Sequence, residues 1–121
     1  MEKILLVEDN IMNRELVKDI LEMNGYLIEC VKNGKEALTI LESESFDIVL
    51  TDINLPIMDG IELVQKIREK EKQPKKIVAM TADTHTKTGK TFEEAGFDGF
   101  VQKPFKIDEF RKYVKSFTDG L

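Results

Sequence analysis

The chain has one cysteine, one histidine and no apolar run longer than five residues, and each scarcity removes a class of function. The single thiol, Cys30, builds no internal disulfide, which fits a reducing compartment. Alternating with Ile28 along a predicted strand, Cys30 is expected to be a small buried hydrophobe. His85 stands alone in a polar stretch and reads as a solvated side chain, neither a metal ligand nor a phosphoacceptor. Runs this short exclude a membrane-spanning helix, and the opening MEKILLVED lacks the longer apolar segment and cleavage site of a signal peptide. A cytoplasmic protein with no membrane contact is expected. Excess positive charge is also missing: the net charge is −5, with Lys and Arg scattered, so no general grip on nucleic acid is expected.

What is present is a globular composition. The 121 residues suffice for one domain with one core, 41% are hydrophobic and 34% charged, and there is no repeat, linker or low-complexity segment. Ile4-Leu5-Leu6-Val7 is continuous enough for a strand buried on both faces. Met12, Leu16, Val17, Ile20 and Leu21 then recur at helical spacing, with Gly25 as a stop. A weaker strand follows from Tyr26 to Val31, then a helix opened by Asn33 and Glu36 and carrying Ala37, Leu38, Ile40 and Leu41. Ile48-Val49-Leu50 is a third strand. Asp59 and Glu62 cap a helix whose face is Ile61, Val64 and Ile67. Ile77 to Met80 is a fourth strand, a polar, threonine-rich helix ends near Gly96, and Phe100-Val101 is a short fifth strand. Ile107, Phe110, Val114 and Phe117 form the buried stripe of the last helix. Strands alternating with helices in this way predict an α/β fold, doubly wound, with a five-stranded, mostly parallel sheet and five helices.

In such sheets ligands bind beyond the carboxyl ends of the strands, so the residues delivered there matter most. Glu8 and Asp9 follow the first strand, Asp52 the third, Thr81 the fourth and Lys103 the fifth. Three carboxylates, a hydroxyl and an ammonium therefore share one edge. Carboxylates so gathered repel one another, and a hard divalent cation such as Mg2+ relieves the repulsion. One carboxylate is then able to attack a phosphoryl donor, with the cation and lysine neutralising charge and Thr81 bonding a phosphoryl oxygen.

Three competing motifs fail on spacing. TKTGKT, residues 86–91, ends like a phosphate-binding loop, but Thr84 stands where that loop needs its first glycine and Ala82 is two residues too early. Its threonines and Gly89 instead predict a fourth helix that is short or labile at its start. A calcium loop opening at Asp52 is broken by Pro56 and by Ile57 in the required glycine's place. An aspartate-based phosphohydrolase of the haloacid-dehalogenase type carries a second Asp two residues after its nucleophile, where this chain has Asn54, and no cap domain is available. A scaffold of this kind that never takes phosphate is disfavoured because no site residue is missing.

From ILLVED to the last helix the chain resembles the receiver domains of two-component response regulators, of the chemotaxis-regulator type and, through EDNIMNRE, those of hybrid sensor kinases. The resemblance spans residues 1–121 and implies the flavodoxin-like strand order 2-1-3-4-5. It implies that Asp52 is the phosphoacceptor, that Asp9 and Asp52 ligate Mg2+ (or Mn2+) directly, that Glu8 acts mainly through water, and that Asn54 lends a backbone carbonyl. Thr81 and Phe100 match the switch pair, Lys103 the lysine, and Pro104 the proline that is usually cis in the family. Asn54 and Asp83 match positions that modulate hydrolysis of the phosphorylated state. The implied donor is a sensor histidine kinase or a histidine phosphotransfer protein. The implied output is a downstream protein or domain meeting the surface of the fourth helix, fifth strand and fifth helix. The chain is expected as a monomer or a phosphorylation-dependent dimer, and as no enzyme beyond its own phosphorylation and slow dephosphorylation.

Overall fold

Ile4, Leu5, Leu6 and Val7 are each 0% exposed, the burial required of a strand covered on both faces. They lie in β1 (Lys3–Val7) of a computed structural model that describes residues 2–70, 74, 76–82 and 91–118. After β1 come α1 (Ile11–Met23), β2 (Leu27–Val31), α2 (Gly34–Ser43), β3 (Ile48–Asp52) and α3 (Gly60–Arg68). β4 (Lys76–Thr81), α4 (Phe92–Ala95), β5 (Gly99–Gln102) and α5 (Ile107–Thr118) complete the order. All four strand pairings are parallel and the sheet runs β2-β1-β3-β4-β5, the expected topology.

The pleat sorts the core into two layers, because successive side chains on a strand point to opposite faces. Ile4, Leu6, Ile48, Leu50, Val78 and Met80 face α1 and α5, where Val17, Ile20, Leu21, Phe110 and Val114 meet them. Leu5, Val7, Val49, Ile77 and Ala79 face the other helices and pack on Ala37, Leu63, Val64, Ile67 and Phe92. The caps read from the sequence operate as expected: Asn33 accepts from the Glu36 amide at 2.8 Å and Asp59 from the Glu62 amide at 2.9 Å. α1 ends where Gly25 takes a left-handed φ of 89°, which a glycine adopts without strain.

Several details differ from the sequence expectation. The Asn10 side chain accepts the Asn13 amide and caps α1, a cap the apolar spacing did not mark. Met12 and Leu16 are exposed although they share the helical period of Val17 and Ile20. The first turns of α1 overlie the loops at the strand ends, and Leu16 lines an open cavity of about 310 Å³ with Ala82, Lys103, Pro104 and Phe105. Cys30 is only half-buried because β2 is an edge strand, although burial still pushes its thiol up. Ile107 is also exposed, leaving Phe110 and Val114 as the buried stripe of α5, with Phe117 packed partly against them. The described part of the fourth helix is the single turn Phe92–Ala95, while Thr84, Thr86, Thr88 and Gly89 lie outside the described residues.

α3 starts directly beneath the end of β3, and this proximity positions the loop between them. The Gly60 amide donates to the Ile53 carbonyl at 2.8 Å, and a Cβ on Gly60 would lie 2.5 Å from the Asp52 carbonyl oxygen and 2.9 Å from the Ile53 Cα. Both obstacles are backbone, so neither can swing away. Gly60→Ala is expected to destabilise the fold by about 1–3 kcal/mol, the usual cost of forcing added volume into a filled space, read as a lowered urea midpoint with an unchanged slope.

Candidate functional site

Four of the predicted residues arrive at the carboxyl edge of the sheet on four different strands. Glu8 follows β1, Asp52 is the last residue of β3, Thr81 the last of β4, and Lys103 the first residue after β5. β3 and β4 therefore run slightly further than the apolar runs suggested, carrying the functional residues on rigid backbone. The parallel register pairs Asp52 with Met80 and Thr81 with Gln102, and the Lys103 amide donates to the Thr81 carbonyl at 2.7 Å. Strand pairing thus fixes the spacing of the site before any side chain contributes.

The lysine joins the acids. Lys103 Nζ donates to Asp52 Oδ2 at 2.9 Å and to Glu8 Oε1 at 3.1 Å. Asp52 is largely buried, with 13% of its side chain exposed, whereas Glu8 is wholly enclosed. Glu8 Oε2 is buried and, among the described residues, has no hydrogen-bond partner. Burial pushes the Glu8 carboxyl up, against the opposing pull of the Lys103 hydrogen bond and charge. Burial draws the Lys103 ammonium down, but Asp52 and then Glu8 outweigh it and the net shift is upward. The lysine keeps its proton.

Asp9 joins the same group from the exposed side: one carboxylate oxygen from each of Glu8, Asp9 and Asp52 lies within 4.8 Å of the others. The Asn54 amide donates to Asp52 Oδ1 at 3.3 Å, which folds the β3–α3 loop back over the acid. Thr81 is buried and Phe100 is 41% exposed, its ring centroid 4.9 Å from that of Phe92. The Lys103–Pro104 peptide bond is cis, as anticipated. Asp83 lies outside the described residues, as do His85 and all of TKTGKT except Thr91. Thr91 is the N-cap of α4 in a capping box with Glu94, an ordinary structural duty for the end of a false phosphate loop.

Sequence inspection missed the supporting contacts. The Arg14 guanidinium holds the Glu8 carbonyl at 3.2 Å, and the Tyr113 hydroxyl accepts the Phe100 amide at 3.1 Å. That hydroxyl reaches the strand only because Gly99 has no side chain: a Cβ there would lie 2.7 Å from it. Spacing alone carries no signal that Tyr113, a partly exposed aromatic, would serve Phe100.

Acids from two strands bridged by a lysine from a third, at the strand ends of a 2-1-3-4-5 sheet, form the arrangement that the resemblance to receiver domains implies. Comparison with protein families matches residues 4–115 to the response regulator receiver domain. The chain is similar, at 37% identity over 120 residues, to hybrid signal transduction histidine kinase B of Dictyostelium discoideum, matching 89% of this chain and 6% of that protein. Among solved structures, the response regulator TrrA of Thermotoga maritima, in complex with Mg(2+)-BeF, is 37% identical with a TM-score of 0.84, covering 97% of this chain and 99% of that one. The receiver domain of the sensor histidine kinase PA1611 of Pseudomonas aeruginosa, with a magnesium ion in its active-site cleft, is 31% identical with a TM-score of 0.87, covering 96% of each chain. This chain belongs to the response regulator receiver domain family, phosphoacceptor switches of two-component signalling rather than turnover enzymes. It spans only a small part of the histidine kinases it matches. No helix among the described residues is long and apolar enough to cross a membrane.

Removing the Tyr113 hydroxyl isolates one of the unforeseen contacts. Tyr113→Phe is expected to lower stability by about 0.5–1.5 kcal/mol, the net worth of one hydrogen bond. Amide hydrogen exchange would show its largest acceleration at Phe100, with the central strands accelerated only as far as the loss of global stability requires.

Proposed function

We propose that Asp52 is the residue that takes the phosphoryl group. The observation that carries this reading is the pair of bonds from Lys103 to Asp52 and Glu8, which orients one recessed carboxylate at the strand ends. An Asp52 carboxylate oxygen forms the new O–P bond as the N–P bond of a protein phosphohistidine breaks, and the imidazole leaves with the electron pair. The donor is a sensor histidine kinase or a histidine phosphotransfer protein.

The acid group suits a hard divalent cation: three carboxylates converge, and one buried Glu8 oxygen is without a partner among the described residues. Asp9, Asp52 and the Asn54 carbonyl would hold Mg2+, or Mn2+ in its place, with Glu8 acting mainly through water. When bound, the cation supplies positive charge beside the phosphoryl oxygens. Lys103 supplies the second positive charge, already in place and still protonated. Thr81, at the end of β4, is the hydroxyl available to a phosphoryl oxygen. Phe100, half-exposed on β5, is the ring that changes position with it, and the α4–β5–α5 surface carries that change to a downstream protein or a second copy. Loading has only to favour one of two pre-existing arrangements by a few kcal/mol. Asn54 and Asp83 set how readily water removes the phosphoryl group.

Intact mass after incubation with acetyl phosphate tests this reading. One phosphoryl addition is expected with Mg2+, none after chelation and none in Asp52→Asn. Lys103→Met is expected to slow loading by roughly 100- to 1,000-fold, the effect of losing one charge-stabilising donor. Loading of Asp52→Asn at the wild-type rate would place the acceptor elsewhere.

A further inference from the structure

Lys103 holds two of the three clustered acids, and the third is held differently. Lys103 Nζ bonds the Glu8 and Asp52 carboxylates, whereas the exposed Asp9 carboxylate has no hydrogen-bond or ion-pair partner among the described residues. The place of Asp9 in the cluster is therefore set by its backbone, in the short loop between the end of β1 at Val7 and the start of α1 at Ile11.

One residue clamps that loop on both sides of Asp9. The Arg14 guanidinium donates to the Glu8 carbonyl at 3.2 Å, and the Arg14 amide donates to the Asn10 carbonyl at 2.9 Å. The Glu8 carbonyl belongs to the peptide that joins Glu8 to Asp9, so a bond there fixes the plane from which Asp9 leaves. Glu8 is 0% exposed and lies past Val7, where the β1 ladder ends, so its carbonyl has neither water nor a strand rung to meet. Its amide is held as well, by the Val31 carbonyl at 3.1 Å.

The helix gains nothing from this placement. Arg14 is the fourth residue of α1, whose first turn has no acidic residue, and a cation near a helix N-terminus opposes the helix dipole. Through space, a guanidinium near the acids repels a second cation, so any help it gives Mg2+ comes from the bond it makes. We propose that Arg14 is a positioning residue for the cation site, holding the Glu8–Asp9 peptide so that Asp9 is already in place as a ligand. This inference rests on the reading that Asp9 and Asp52 hold Mg2+.

Titration calorimetry with Mg2+ tests it, because charge and position predict opposite signs. Arg14→Met is expected to weaken Mg2+ binding by about tenfold or more, the usual loss when a residue that orients a metal ligand is removed. Arg14→Lys keeps the charge but loses the planar fork and part of the reach, and is expected to bind Mg2+ roughly threefold more weakly than wild type. The Lys variant carries the test if Arg14→Met fails to fold. Asn24→Ala removes the bond from the Asn24 side chain to the Ile20 carbonyl at the far end of the same helix. It is expected to cost stability while Mg2+ affinity stays within about twofold of wild type. In the metal-free protein, backbone NMR relaxation is expected to give a lower order parameter at the Asp9 amide of Arg14→Met, with Val7 and Thr51 unchanged. At saturating Mg2+, loading of Arg14→Met by acetyl phosphate is expected to return to within about twofold of wild type. Mg2+ affinity that is unchanged or stronger in Arg14→Met would overturn the proposal, and so would an equal loss in Asn24→Ala. A wild-type chain that does not bind Mg2+ would instead overturn the cation reading, and the role of Arg14 with it.

Discussion

Three strands meet in one ammonium group. Lys103, carried past the end of β5, bonds at once to Asp52 at the end of β3 and to Glu8 just after β1. Without it, two carboxylates, one of them wholly enclosed, would face each other in a poorly solvated space, and at least one would be driven to protonate. The bridge lets a wholly buried acid and a slightly exposed one share one edge while Glu8 Oε2 has no partner among the described residues. A site half-satisfied by its lysine and short of positive charge on its open side is chemically prepared for a cation and then for a phosphoryl group.

The rest of the fold serves that spacing. Side chains cannot set distances between strands; the ladder does, and here every rung near the site is parallel and in register. The two core layers clamp β1, β3 and β4 from both faces, so the strand ends hold still while the loops beyond them differ in character. The β3–α3 loop is pinned by Gly60 under β3, and α4 is a single capped turn. The pinned loop stands at the carboxyl edge of the sheet, whereas the α4 turn ends against Arg68 and leads to the start of β4 at the opposite edge.

Much of this was legible in the sequence, and the reason is period. Strands buried on both faces leave uninterrupted apolar runs, and the residue after each run is a candidate for the ligand edge; Glu8, Asp52, Thr81 and Lys103 were found in that way. Asn33 and Asp59 were legible because a cap acts over three residues of chain. What escaped depends on distance through space. Met12 and Leu16 keep the helical period but are exposed, Leu16 over the strand-end loops, and Cys30 alternates correctly on a strand that happens to be an edge. Tyr113 beneath Gly99, Arg14 against the Glu8 carbonyl, and Phe92 beside Phe100 join residues whose spacing has no pattern. The left-handed φ of 70° at Ile57 is likewise invisible without backbone angles.

The most direct test of the lysine bridge is a double-mutant cycle between Glu8 and Lys103, with unfolding free energies measured in urea at neutral pH and with a chelator present. If the ammonium compensates the buried carboxylate, Lys103→Met alone is strongly destabilising, by about 3 kcal/mol. Adding Glu8→Leu then recovers part of that loss, giving a coupling of about 1–3 kcal/mol. Effects that simply add, to within about 0.5 kcal/mol, would mean the two groups are neighbours without being partners, and would contradict the account.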